Sequence, residues 1–343
     1  MMDRMGGGVI YTQTNEPANE VIAFRRDEHG ALDRIGSFAT EGAGDAKPHL
    51  TSQGSVTLAG DGRHLLVTNA GSDDVTLFSV GEDGSLELLH TAAAGSAPKS
   101  VAEHGGLVYV LSTGKPGLTG YRITGDRLEP LPGSEGSLPS ADADPAQVGF
   151  TRDGSSLIVT ERGTDSIGRY DVGAAGELGM PRVVASAGPT PYGFAITGGG
   201  TLVVTEAFRA QKGAAAASSY RIEGADVRLV TSSVGNRRSE ICWAVVTPDD
   251  RFAFTTNFAD GAVSRYAIGA DGSLRLDDAT AGLAVDGQPG LRDEGLSSDG
   301  RFLYAIDADG GRIYGWTVGS DGSLRPIDSW EGLPVTVAGI AVA

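Results

Sequence analysis

Six residues stand at one recurring place in this sequence and are of types that could do chemistry: Asn69, Ser112, Glu161, Glu206, Asn257 and Asp307. Each closes an apolar run, and all but Ser112 are carboxylates or carboxamides. Glu161 and Glu206, if aimed into a shared cavity, could act as general bases that take a proton from water or from a substrate carbon. The competing reading is that the column caps strand ends and hydrogen-bonds loop backbone. Oxygens in a ring could also hold a calcium-like ion, but the spacing matches no ligand motif, and no metal or cofactor is expected. Arg162, Arg209, Arg237, Arg238 and Arg292 all fall on segments expected on the same side as this column. Arg237, Arg238 and Arg292 are the candidates for docking an anionic group or steadying an oxyanion. Of five histidines only His49 falls on a loop near the column, and it is a third catalytic candidate. Tyr192 and Trp243 could form an apolar wall beside the site, and Cys242 reads as a small buried residue. No G-x-S-x-G elbow is present, so acyl-enzyme chemistry of that type is unsupported.

The column repeats because the chain repeats. One copy runs Ser55–Leu58, a turn at Asp61-Gly62, His64–Asn69, Asp74–Val80, a turn at Asp83-Gly84-Ser85, and Leu86–Leu89. That is four short strands joined by tight turns, with Asp-Gly as the hairpin signal. The second strand recurs at Leu107–Ser112, Ser156–Glu161, Thr201–Glu206, Phe252–Asn257 and Phe302–Asp307, and a first copy spans Val9–Asn15. The column residues lie 43 to 51 residues apart, close to one propeller blade. The first copy starts at its second strand, while Val337–Val342 is a strand left over after copy seven. The fold expected is therefore all-β: a seven-bladed β-propeller of four-stranded antiparallel blades, one domain over residues 1–343, with the C-terminal strand completing the first blade. The short Asp-Gly turns share one face of the disc, and the variable connections Pro130–Pro145, Ala207–Ser218 and Asp277–Asp293 share the other. The site is expected on the variable face, at the mouth of the central channel.

Composition narrows the function classes. With 44 acidic against 27 basic residues the net charge is −17, and no basic block exists to neutralise phosphates, so nucleic acid is an unlikely partner. A single cysteine excludes an internal disulfide and a Cys-based zinc site within one chain. No apolar run is long enough for a membrane span or a signal peptide, so the expectation is a cytoplasmic protein that takes a small molecule and binds no membrane; its oligomeric state is open.

The phrase Asp-Gly-Arg-x-Leu-x-Val-x-Asn, followed by Val-x-x-Phe-x-Val-x-x-Asp-Gly-Ser-Leu, is present from Asp61 to Leu86 and echoed in copies six and seven. It resembles the lactonase-like seven-bladed propellers, which include 6-phosphogluconolactonases and 3-carboxy-cis,cis-muconate lactonising enzymes. The resemblance spans essentially the whole chain and implies a lactonase-like enzyme for a small cyclic ester, or else a non-catalytic propeller that binds on the same face. It aligns Glu206 with the family's channel glutamate. The family's Pro-His is replaced by Pro145-Ala146-Gln147, its Gly-Pro-Arg-His by Gly188-Pro189-Thr190-Pro191-Tyr192, and its Asn/Asp-Arg by Asn257-Phe258. Gln147 and Tyr192 thus become substrate-binding candidates, and the lost cations argue against strongly anionic family substrates.

Overall fold

The computed structural model describes residues 7–48, 50–224, 226–285 and 287–343. Its strands form seven antiparallel sheets arranged as blades around an axis. Blade four is typical: Pro145–Phe150 lies innermost, followed outward by Ser156–Glu161, Ser166–Asp171 and Arg182–Ala185. The second strands are almost wholly buried because both their faces pack on neighbouring blades, hence their continuous apolar runs. Ala338–Val342 pairs with the strand Gly8–Gln13 and so supplies the inner strand of blade one. The ring is closed by the two ends of the chain, as the leftover strand predicts. The first copy is shorter than its sequence pattern: pairing stops at Gln13, and Asn15 turns left-handed with its side chain on Asp45.

The recurring Asp-Gly-Ser phrase has a local cause. Asp83 Oδ1 accepts the Ser85 N–H at 2.9 Å, and Asp321 does the same for Ser323 at 3.0 Å. Between them Gly84 and Gly322 take φ of 76–84°, a region costly for residues with a Cβ. The turns also link blades. Tyr11 donates its hydroxyl proton to Gly84 O of the next blade at 3.0 Å, and Tyr304 donates to Gly30 O at 2.7 Å. Tyr109 makes the same bond to Gly176 O.

On the opposite face the chain enters four successive inner strands through a left-handed residue: Ala97, Asp144, Thr190 and Glu240, with φ between 40° and 60°. The carbonyl of each accepts the N–H of the residue that follows the polar column, at 2.9–3.2 Å. A bulge comes next in every case, and again after Leu291. Through these bulges Lys99, Ala146, Tyr192, Cys242 and Arg292 occupy equivalent positions around the channel mouth.

Candidate functional site

The column faces inward on its own blades. Glu206 is fully buried; its Oε1 accepts Gly188 N–H at 2.8 Å and the Ser218 hydroxyl at 2.5 Å, and its Oε2 accepts the Ser233 hydroxyl at 2.7 Å. All three partners belong to blade five or the segment entering it. Burial raises the Glu206 pKa, with the hydroxyl and N–H bonds opposing that shift. Glu161 accepts Thr164 and Ser166 hydroxyls at 2.9 and 3.3 Å, again within one blade. Asn69 donates to Thr76 Oγ1 and Asn257 to Ser264 Oγ, both at 2.9 Å. In blades two, four, five and six the side chain at the end of the second strand is thus turned toward a hydroxyl of the third, and the expectation that Glu161 and Glu206 point into the channel is not what the geometry gives.

What does converge on the channel comes from the innermost strands. Gln53, entering blade two, crosses to blade six: its Nε2 donates to Ala244 O at 2.9 Å and its Oε1 accepts Ala244 N–H at 3.2 Å. Its backbone N–H donates to Ala146 O in blade four, and its carbonyl accepts the Ser100 hydroxyl of blade three at 2.6 Å. Trp243 Nε1 donates to Ser52 O at 2.8 Å from the far side. Trp243, Tyr192, Cys242 and Ala146 join Ile306, Val337 and Ile340 in one apolar cluster. The channel therefore has a floor.

Above that floor stand three cations. Arg162 pairs with Asp144 at 2.7 Å, lies 5.2 Å from the Tyr192 ring centre and donates to Thr51 Oγ1 at 3.2 Å. Lys99 Nζ is 3.4 Å from the same Thr51 oxygen, and burial lowers its pKa. Arg292, 7% exposed, stacks 4.5 Å from the Phe258 ring, donates to Pro48 O and meets Asp309 at 3.3 Å. Beside it Asp293 is buried and accepts the Gly339 N–H of blade one at 2.5 Å. Burial pushes its pKa up to about 7, and the Gly339 N–H and the Arg292 charge only partly offset that. Asp293 also acts electrostatically on Cys242 and Tyr192, whose pKa values burial raises.

Of the sequence candidates, Arg292, Tyr192 and Trp243 meet at the mouth. Gln147 does not line it: its amide bonds the Phe194 backbone at 2.6 and 3.1 Å and clamps blade four to blade five. Arg238 is turned outward onto Ala279 O and Thr280 of blade six. Arg237 is exposed in a left-handed turn, and Arg209 pairs with Asp165 in another. His49 lies outside the described residues. Sequence reasoning missed Asp293, Lys99 and Gln53. The run Leu291-Arg292-Asp293-Glu294 carried a signal for the first, since no other inner strand holds three successive charges. A cleft of about 930 Å³ opens on the Asp-Gly face between blades two and three and includes Asp61, His64, Glu103 and His104. Its acids are engaged locally: Asp61 with His64 at 2.9 Å, Glu103 with the N–H groups of Gly60 and Gly106.

The family model described as Lactonase, 7-bladed beta-propeller matches residues 5–126, 124–209 and 205–331. No curated protein sequence matches closely enough to show a relationship. Among solved structures, a protein from Bacteroides fragilis described as a candidate 6-phosphogluconolactonase is 18% identical with a TM-score of 0.75, covering 100% of this chain and 99% of its own. A protein from Lactobacillus plantarum is 16% identical at 0.77, with 98% and 99% covered. The periplasmic gluconolactonase of Pseudomonas aeruginosa is 17% identical at 0.69, with 97% and 98% covered. At these identities the likeness is one of fold.

Proposed function

Because the chain belongs to the lactonase family of seven-bladed β-propellers, we propose that it hydrolyses a small lactone at the channel mouth. The observation that carries this reading is Asp293, a buried acid in the channel wall with a pKa near 7, next to Arg292 and under the same field as Tyr192 and Cys242. A base poised near working pH combines adequate ionisation with adequate strength. Asp293 takes a proton from water, and the hydroxyl oxygen bonds to the lactone carbonyl carbon. The oxyanion that forms is held by Arg292, with Arg162 and Lys99 on the opposite wall. The ring C–O bond then breaks, and the proton returns from Asp293 to the departing alkoxide, leaving the hydroxy acid. Glu206 is not given the role of base, since hydroxyls and a backbone N–H already engage both of its oxygens.

The test is a pH-stat panel of neutral and anionic γ- and δ-lactones with wild type, Asp293→Asn and Glu206→Gln. Turnover that survives in Glu206→Gln and is lost in Asp293→Asn supports the reading. Turnover lost only in Glu206→Gln returns the chemistry to that glutamate. A second reading, a binder without chemistry, is favoured by the closed floor that Gln53 and Trp243 build across the channel. An inert wild type that is nonetheless stabilised against heat by a lactone or hydroxy acid supports that alternative.

A further inference from the structure

Blade four lacks a contact that blades two, five and six make. The column residue of blades two, five and six meets a hydroxyl on the third strand, Thr76, Ser218 and Ser264 respectively, at 2.5–2.9 Å. Register places Gly168 at that position in blade four, opposite Val159, as Ser218 is opposite Val204. No hydroxyl reaches Glu161 from that position, and those of Thr164 and Ser166 engage only its Oε2, at 2.9 and 3.3 Å. Glu161 is 1% exposed, and its Oε1 has no hydrogen-bond partner.

A second orphan faces the same gap. Tyr170 stands two residues beyond Gly168, and its equivalents Tyr220 and Tyr266 bond their hydroxyls to backbone outside their own blade's strands: Ala187 N–H donates to Tyr220 at 2.7 Å, and Tyr266 donates to Val234 O at 3.2 Å. Tyr121 makes such a bond to Ala93 O. For Tyr170 the adjoining outer position of blade three is filled only by the pieces Arg127–Pro130 and Gly136–Ser137. Its hydroxyl is buried and unpartnered. A Cβ built on Gly168 would lie 3.2 Å from Tyr170 Cε2, 3.4 Å from Glu161 Oε1 and 3.7 Å from the Tyr170 hydroxyl oxygen, so both orphans border the space beside Gly168, and a side chain there requires the Tyr170 ring to give by a few tenths of an ångström.

We propose that this space is a binding site for one water molecule, which donates to Glu161 Oε1 and accepts the Tyr170 hydroxyl proton. Two unpaired buried polar groups that border the same position lacking a side chain are the setting in which proteins retain internal water. The water stands in for the missing serine or threonine hydroxyl, and it joins the second and third strands of blade four where blades two, five and six use side chains. Nothing in this proposal depends on the catalytic reading, because the site lies inside the blade and not at the mouth.

A crystal structure of the wild-type protein at a resolution that shows ordered solvent tests it directly. A water within 3.2 Å of both oxygens is the expected result; Glu161 and Tyr170 bonded directly to each other, or empty density between them, overturns it. Gly168→Ser gives an independent measure. Its hydroxyl should displace the water, bond Glu161 and raise the thermal midpoint by about 1–2 °C, whereas Gly168→Ala, which expels the water without replacing its bond, should lower it. Equal effects of the two substitutions contradict the proposal.

Discussion

At the scale of single residues, the chemistry rests on how burial treats two acids in opposite settings. Glu206 is enclosed by Ser218, Ser233 and Gly188 N–H, a full set of donors that holds one geometry. Glu206→Gln keeps the shape but puts an N–H₂ where an oxygen accepted hydroxyls, so a loss of about 1–3 kcal/mol in chemical denaturation is expected. Asp293 has its Oδ2 held by one N–H and its proton held by burial. With its pKa raised to about 7, the folded form keeps a proton that the unfolded chain has already released. Stability should therefore fall as pH climbs from about 4, the unfolded carboxylate range, to about 7, and level off above. Comparing denaturation midpoints of wild type and Asp293→Asn across that window checks the sign: the downward slope should shrink in the variant.

Strands and turns explain how these residues come to their places. The bulge at the start of an inner strand decides which side chain enters the mouth, and the left-handed residue before it sets the approach of the chain. Non-glycine residues pay for that conformation, and Ala97, Asp144, Thr190 and Glu240 do so at the same place in four successive blades. The repeat, the closure by the C-terminal strand and the loop-rich face were all legible in the sequence, because apolar runs, Asp-Gly turns and strand count are local signals. The mouth was less so. A column at the end of the second strands looks like a ring around the channel until the register shows that it turns toward the third strand, as Asn69 does toward Thr76 and Asn257 toward Ser264. Gln53 was invisible for another reason: its partners Ala244 and Ala146 are distant in the chain and offer only backbone. Gln53→Ala removes the contacts that tie blades two and six and should lower stability by about 1–3 kcal/mol, read by chemical denaturation. Under the hydrolase reading the deeper cavity should also let longer lactones in, seen as a KM that falls for long-chain relative to short-chain substrates.

For the molecule as a whole, ring closure and the proposed chemistry meet at one bond. Asp293 of blade seven accepts the Gly339 N–H of the C-terminal strand, which itself completes blade one through Ile10–Gln13. Deleting Ala338–Val342 should abolish turnover along with cooperative thermal unfolding, since it removes both a blade's inner strand and the donor that orients the acid. The net charge of −17 surrounds a mouth that carries Lys99, Arg162 and Arg292, so under the hydrolase reading it is these local cations, within an otherwise acidic surface, that would hold a small oxygenated substrate. The central claim is that Asp293 is the base. Its most direct test is the pH dependence of kcat/KM on a lactone that the panel identifies, for wild type and Asp293→Asn. The account predicts a rate that rises through an apparent pKa near 7 in wild type and, in the variant, a rate lower by roughly 10²–10⁴-fold with that limb absent. A variant that keeps both the rate and the limb contradicts it.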